Sequence, residues 1–275
     1  MRIIPERIVA YLAVFLIIFF WPLNFLLHNN VSNTIHFFLP SVVITATLLL
    51  GAKSRLGKIV AFFIPLINSS LLFIPLVVLF FKSRKLIIKL LLISILIVFL
   101  TSTFKPFIGS SIFYYSWDDQ QKVIQQGYLY PNIWLSRTFQ NKPSIYINRF
   151  LFNFFALIDP NNYFFGFHPR EITVDNQNLQ KFPFLAICLF LIGLYQVAQK
   201  NQRLLLSLFL IIINLSLLRN FDKTDAILWL PLFLVIKKGL VTFQNYSSKV
   251  KILFIILFLI FTLTEYLHLI INMIT

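Results

Sequence analysis

The chain has 275 residues, of which 59% are hydrophobic and 17% aromatic, and its formal net charge is +15. A mean hydropathy of +0.84 excludes an ordinary water-soluble domain and indicates several membrane-spanning helices. The positive charge lies in short segments between apolar stretches, as in the cytoplasmic loops of membrane proteins, so we expect no nucleic acid as a partner. The single cysteine, Cys188, allows neither an internal disulfide nor a cysteine-based metal site.

The first part of the chain consists of apolar segments separated by short polar links. Segment 8–27 follows two arginines but is too long for a signal peptide and lacks a cleavage site, so we expect a retained helix. A polar link at 28–34 leads to a second helix at about 35–52. Segment 59–81 carries prolines and a polar run, Asn68-Ser69-Ser70, near its middle. These residues disfavour a straight span and predict a re-entrant or short helical hairpin.

The hairpin determines the predicted orientation through the distribution of charge. With the N terminus inside, 15 lysine and arginine residues lie in cytoplasmic segments and two lie in the short outer loops. A single span over 59–81 would instead leave 10 inside and 7 outside. Because lysine and arginine favour the cytoplasmic side, we expect a cytoplasmic N terminus, with loop 105–181 and the C terminus extracytoplasmic.

The sequence thus predicts an all-α polytopic membrane protein with about seven transmembrane helices, the hairpin, and one extracytoplasmic helical loop domain. The predicted regions are N-terminal membrane helices over 1–104, with the hairpin at 59–81, a loop domain over 105–181, and C-terminal membrane helices over 182–275. A helix at 86–104 leads out to the loop, and helices near 182–198, 204–218, 226–236 and 252–273 follow it.

Within the loop, local signals predict an interfacial helix at 143–158. Asn141 can cap its start, with Pro143 in the first turn, and the Asp159-Pro160 pair favours a turn after its end. The helix is apolar apart from one narrow stripe, which contains Asn148, Arg149, Asn153 and Ala156. Its wide aromatic face cannot stay in water, so we expect that face on the membrane surface or against transmembrane helices.

The same loop carries three pieces in a fixed order: RTFQNKP at 137–143 before the helix, then DPNNYFFG at 159–166 and PR at 169–170. In this order they resemble a segment of polyprenyl-phosphate-sugar-dependent membrane glycosyltransferases of the GT-C type, similar to protein mannosyltransferases and aminoarabinose transferases. The likeness runs from about 104 to 240, about half of the chain. It implies a protein that acts on polyprenyl-phosphate-linked sugars at the outer membrane face, or derives from enzymes that do.

Such a reaction needs an extracytoplasmic carboxylate that takes a proton from the acceptor hydroxyl. The enzymes that the chain resembles carry this acid in the first outer loop, whereas the first outer loop here, 28–34, has none. The catalytic candidates are therefore Asp118 and Asp119, which could divide as acid and base or bind a divalent cation. The alternative is that they form the acidic start of a helix at 120–126.

Residues for holding a lipid-linked sugar are also present. Trp117 could stack on a sugar ring, and Arg170 could bind a lipid phosphate bidentately, although it could also pair with Glu171 near headgroups. Arg219 could reach a phosphate or belong to a local charge network in the turn at 219–225. The full set of substrate-binding candidates is Trp117, Arg137, Lys142, His168, Arg170 and Arg219.

The competing interpretation is a non-catalytic membrane subunit or scaffold that binds a partner protein through the loop. A polar cavity that joins Asp118, Asp119 and Arg170 to the membrane would favour the enzyme. Dispersal of these residues in water would favour the subunit. Membrane lipid and a polyprenyl-phosphate sugar are the expected partners, and a divalent cation is the one cofactor that the carboxylates suggest.

Overall fold

The computed structural model describes residues 6–50, 108–166, 180–219 and 224–274, and these residues are predominantly helical. No β-strand occurs in them, and an isolated antiparallel bridge joins Ser111 to Leu218. The all-α prediction is confirmed for this part of the chain. The helices are α1 (Glu6–His28), α2 (Val31–Leu50), α3 (Trp117–Gly127), α4 (Ile133–Phe139), α5 (Lys142–Ile158), α6 (Asn161–Phe164), α7 (Ala186–Lys200), α8 (Gln202–Ser216), α9 (Trp229–Phe243) and α10 (Ser248–Ile274).

Three helical segments are long and apolar enough to cross a membrane: Ala10–His28, Thr224–Phe243 and Ser248–Asn272. A span of about 20 residues rises roughly 30 Å, the thickness of the hydrocarbon core. Shorter apolar helices occupy Val31–Ala46, Ala186–Lys200 and Leu204–Ser216. These helices indicate a membrane protein. The predicted hairpin at 59–81 and helix at 86–104 lie outside the described residues.

Two predicted boundaries need correction. The polar link at 28–34 is shorter than expected, because α1 ends at His28 and α2 begins at Val31. The helix expected at 226–236 instead begins with a 3-10 turn, Thr224–Leu228, and continues as α9 to Phe243. The sequence-based end was wrong because it treated Lys237 and Lys238 as a loop, whereas lysines can remain helical near a membrane surface with their ammonium groups in water.

The chain divides into two compact units. The first unit contains Met1–Leu49, Asp159–Phe209 and Asp222–Thr275, and the second contains Leu50–Ile158 and Leu210–Phe221. The predicted loop domain therefore contributes to both units, since its residues from Asp159 onward belong to the first.

In the first unit, α7 and α9 cross closely at two glycines. A Cβ atom added at Gly193 would lie 2.0 Å from the carbonyl oxygen of Val235, and one added at Gly239 would lie 1.8 Å from that of Leu189. Only hydrogen fits at either position, so the two glycines allow the backbones to touch. Small residues serve this purpose at helix crossings in membranes, where close packing replaces the hydrophobic effect.

In the second unit, α5 forms where the sequence predicts it, one residue longer at its start. The Ser144 N–H donates to Asn141 Oδ1 at 2.9 Å, which confirms the predicted cap. The buried residues of α5 are Asn153, Ala156 and Leu157, while Asn148 of the predicted polar stripe is exposed. Asn153 is 0% exposed and donates to the carbonyl oxygens of Ser216 and Leu218, at 3.0 and 2.5 Å. The apolar residues that point outward and are exposed are Ile147, Leu151, Phe152, Phe155 and Ile158.

Candidate functional site

The two adjacent carboxylates begin α3 inside a capping box. Ser116 is the N-cap, and its hydroxyl oxygen accepts a hydrogen bond from the Asp119 N–H at 3.3 Å. In return, Asp119 Oδ2 accepts from the Ser116 N–H and from its hydroxyl, both at 2.8 Å. The two side chains thus satisfy backbone donors that the helix start leaves without partners. Asp119 therefore lies in the acidic first turn that the capping alternative expected, but as a buried third residue of a helix that begins at Trp117, and the N-cap is Ser116.

Arg149 of α5 occupies the other carboxylate oxygen of Asp119. The guanidinium nitrogen and Asp119 Oδ1 are 2.5 Å apart, and the exposed fractions of the two side chains are 19% and 6%. The same guanidinium donates to the carbonyl oxygens of Tyr114 and Ile112, at 2.8 and 3.3 Å. Arg149 therefore ties the segment before α3 to the inward face of α5.

These contacts determine the protonation of Asp119. Burial on its own would raise the pKa of this carboxyl, but the hydrogen bonds from Arg149 and Ser116, together with the positive charge of Arg149, lower it from 3.8 to about 2. Asp119 is therefore ionised at neutral pH, and both of its oxygens are occupied. Asp118, in contrast, is exposed on the first turn of α3. The structure gives the two carboxylates different surroundings.

Three of the predicted binding residues lie close to the same segment. Lys142 Nζ is 4.8 Å from the centre of the Tyr115 ring, and the Arg219 guanidinium carbon is 5.2 Å from the centre of the Tyr114 ring. Trp117 is 71% exposed at the start of α3. Residues 114–119 are therefore surrounded by cations and aromatic rings, a combination that suits a phosphate and a sugar.

The remaining predicted site residues are not gathered at this segment. Arg137 is exposed on α4, where its carbonyl oxygen accepts a hydrogen bond from the Asn141 side chain at 3.1 Å. His168 and Arg170 lie outside the described residues. In the part of the chain that the structure describes, no group of three or more histidine, cysteine or acidic side chains could hold a metal ion.

The first unit contains a buried ion pair that the sequence did not predict. Lys181 Nζ and Asp225 Oδ2 are 2.5 Å apart, and their side chains are 0% and 3% exposed. Lys181 also donates to Asn162 Oδ1, and its ammonium lies over the rings of Trp21 and Tyr163, at 5.5 and 5.6 Å from their centres. The two buried charges thereby compensate each other.

Next to this ion pair, Glu265 of α10 binds the chain that enters α7. Glu265 Oε1 accepts from the Gln180 side chain and from the Phe184 N–H, both at 3.1 Å. The Asn24 side chain of α1 donates to the Gln180 carbonyl oxygen at 2.7 Å. Residues 180–184 are thus anchored to α1 and to α10.

No protein-family model, curated protein or solved structure matches the chain. A functional proposal for this chain therefore rests on its own residues and their surroundings.

Sequence reasoning missed Arg149 and Lys181 as residues with a specific partner. Arg149 had a detectable signal, because it shares a helical stripe with Asn153, four residues later, on an otherwise apolar helix. Lys181 and Asp225 each adjoin the start of an apolar segment, where an ionisable side chain needs a partner. The identity of that partner is not encoded in local spacing, since the two residues are far apart along the chain.

Proposed function

We propose that the protein is a polytopic membrane protein of about seven spans and a hairpin, with a cytoplasmic N terminus and an extracytoplasmic loop 105–181 and C terminus. The packing of the first unit supports this topology. Helices α7 and α9 both begin beside the Lys181–Asp225 ion pair, and near their ends Lys200 and Lys238 line one groove. The two helices therefore run parallel, as the predicted topology requires, and Lys200 and Lys238, which form no ion pair among the described residues, lie at the predicted inner end.

For the outer face, we infer that the loop binds polyprenyl-phosphate-linked sugars, as the resemblance to GT-C glycosyltransferases implies. The observation that carries this inference is the arrangement around residues 114–119 in the second unit. An exposed Trp117 can stack on a sugar, while Lys142 and Arg219 lie over the Tyr115 and Tyr114 rings beside it and can bind phosphate oxygens.

Within this proposal Asp118 is the proton acceptor for glycosyl transfer. Asp119 has both carboxylate oxygens engaged, and its lowered pKa makes it a weak base. Asp118 is exposed and lies next to Trp117 in sequence, so it can approach an acceptor hydroxyl. Asp119 then serves to position the segment that carries Asp118.

The second candidate function is that of a non-catalytic subunit that binds a partner protein. It is favoured by large side chains that stand exposed in the second unit, around α4. Tyr128, Leu129 and Trp134 are 85%, 81% and 74% exposed. Clusters of exposed apolar side chains mark protein or membrane contacts.

A binding assay with the full chain in liposomes tests the leading proposal. We expect saturable binding of a polyprenyl-phosphate sugar, and Trp117→Ala is expected to weaken it roughly three- to tenfold, as for loss of one aromatic contact. Trp134→Ala removes an equally exposed tryptophan from α4 and should leave binding unchanged. Absence of saturable binding by the wild-type protein would contradict the proposal and favour the subunit.

The same preparation tests transfer. With an acceptor present, Asp118→Asn should reduce transfer about 10²–10⁴-fold, the usual effect of losing a general base, without weakening donor binding. Transfer by Asp118→Asn at the wild-type rate would exclude Asp118 as the base. Binding without transfer by the wild-type protein would leave the protein as a lipid-linked-sugar binder.

A further inference from the structure

The first unit contains a groove between the C-terminal ends of α7 and α9. It has a volume of about 240 Å³, slightly below the ~300–1,000 Å³ of sites for drug-sized ligands. The space therefore suits a headgroup rather than a large molecule. Its lining combines two valines with polar and basic side chains: Gln196, Val197, Lys200, Asn201, Lys238, Val241, Thr242 and Asn245.

The groove carries a net positive charge. Segments 182–218 and 226–264, which include both helices, contain six lysine and arginine residues and no carboxylate. Lys200 and Lys238 are exposed, and within the described residues neither ammonium forms an ion pair. The C-terminal ends of two helices carry about −0.5 charge each, so the two lysines exceed the helix dipoles by roughly one positive charge. An anion in the groove would be attracted.

The polar donors are suited to phosphate oxygens. Lys200 on α7 and Lys238 on α9 both line the groove, so each of the two helices contributes one ammonium group to it. Asn201 and Asn245 add side-chain N–H donors along the same groove. Val197 and Val241 provide an apolar surface beside these donors, against which carbon atoms can pack. A ligand with a phosphate and an attached hydrocarbon satisfies both kinds of surface.

We propose that this groove binds the phosphate headgroup of an anionic phospholipid from the membrane in which the helices lie. Both helices are apolar up to the groove, so lipid headgroups lie at the same depth as Lys200 and Lys238. The lipid occupies the space that opens beyond the close Gly193–Gly239 crossing and contacts both helices at once. Bound lipid therefore links the ends of α7 and α9.

The test uses the purified full chain in neutral detergent. Phosphatidylglycerol, phosphatidylcholine and inorganic phosphate are added separately, and bound lipid is measured by native mass spectrometry alongside the thermal midpoint. We expect phosphatidylglycerol alone to bind and to raise the midpoint. Lys200→Gln combined with Lys238→Gln should weaken this binding about 30-fold, since each lysine near a membrane surface contributes roughly a fivefold factor.

The control variant combines Lys237→Gln with Lys249→Gln. These lysines are also exposed, Lys237 on α9 and Lys249 at the start of α10, but neither lines the groove, so binding should fall less than about threefold. An equal loss of phosphatidylglycerol binding in both double variants would show a general charge effect and overturn the proposal. An equal rise of the thermal midpoint with inorganic phosphate would also overturn the proposal, because the groove would then be a free-anion site. Neither outcome depends on sugar-lipid binding in the loop.

Discussion

At the scale of single residues, the adjacent carboxylates of α3 differ in what they contribute to stability. Asp119→Asn removes the charge that pairs with half-buried Arg149, whereas Asp118→Asn changes an exposed side chain. From the lowering of the Asp119 pKa to about 2, we expect Asp119→Asn to reduce the free energy of unfolding by about 2 kcal/mol at pH 7. Asp118→Asn should change it by less than about 0.5 kcal/mol. Chemical unfolding of the purified proteins in detergent measures both.

The stability difference between the wild type and Asp119→Asn depends on pH in a way that identifies its cause. Because the pKa of Asp119 is lower in the folded than in the unfolded protein, its contribution is complete above the unfolded value of about 3.8. It declines as the pH falls through 3.8 toward about 2, where the folded protein also binds the proton. The gap between wild type and Asp119→Asn should therefore be constant from pH 7 to 5 and close below pH 4. A gap that persists at pH 2 would contradict an electrostatic origin.

Residue-level features were predictable where they are local. The Asn141 cap and the turn in which the Asn161 N–H donates to Asp159 Oδ1 at 2.9 Å both follow from residue types a few positions apart. The ion pair between Asp119 and Arg149 joins residues 30 positions apart, and nothing in the spacing selects one cation from the several in the loop. Partner choice here depends on tertiary packing.

At the scale of elements, α5 packs through the face that contains Asn153, Ala156 and Leu157. Asn153 and Asn148 lie on the same helix, and only Asn153 is buried. Asn153→Asp would place a carboxylate against the carbonyl oxygens of Ser216 and Leu218, replacing two hydrogen bonds by repulsion. We expect a loss of at least about 3 kcal/mol of unfolding free energy, as for a buried charge without a partner.

Asn148→Asp is the matched control, with the same chemical change at an exposed position. It should alter stability by less than about 0.5 kcal/mol. Similar losses in the two variants would mean that α5 does not pack through the face that contains Asn153. The thermal midpoint and the yield of monodisperse protein after size-exclusion chromatography compare them.

The crossing of α7 and α9 gives a second prediction for elements. Gly193→Ala places a Cβ atom 2.0 Å from the Val235 carbonyl oxygen, so the two helices must separate. We expect a loss of about 1–3 kcal/mol or more, typical of overpacking. Gly109→Ala adds the same atom where nothing lies within 4 Å, and its stability should be unchanged or slightly higher. Unfolding of both variants in detergent measures this contrast. If Gly193→Ala had the stability of the wild type, the close crossing would be excluded.

The existence of the apolar helices was predictable from the length of the apolar segments, while their packing was not. The segments predicted at 182–198 and 252–273 correspond to α7 and α10. The burial of Asn153 on α5 was not foreseen, because in a largely apolar helix the hydrophobic pattern identifies two faces without indicating which one the protein buries. Lipid and protein interior are both apolar, so buried polar residues such as Asn153 decide the orientation.

At the scale of the whole molecule, composition predicts a helical membrane protein, and charge predicts how it is oriented. Backbone groups in hydrocarbon must bond within their own segment, so apolar stretches of this length become helices whatever their contacts. The division of the chain into two compact units, with Leu210–Phe221 in the same unit as α3, α4 and α5, was not predictable, since it depends on contacts between distant segments.

The last prediction concerns the orientation that the charge distribution implies. In a Cys188→Ser background, single cysteines at Ser54 and Ser83 lie at the two ends of the predicted hairpin, outside the described residues, and a cysteine at Lys122 lies exposed on α3. If segment 59–81 is a hairpin, both of its ends are cytoplasmic, and a membrane-impermeant thiol reagent added outside intact cells should label Lys122→Cys alone. After permeabilisation all three should react, which shows that each thiol is accessible. A single span would place one end outside, so external labelling of either Ser54→Cys or Ser83→Cys would exclude the hairpin, and protection of Lys122→Cys would place the loop in the cytoplasm.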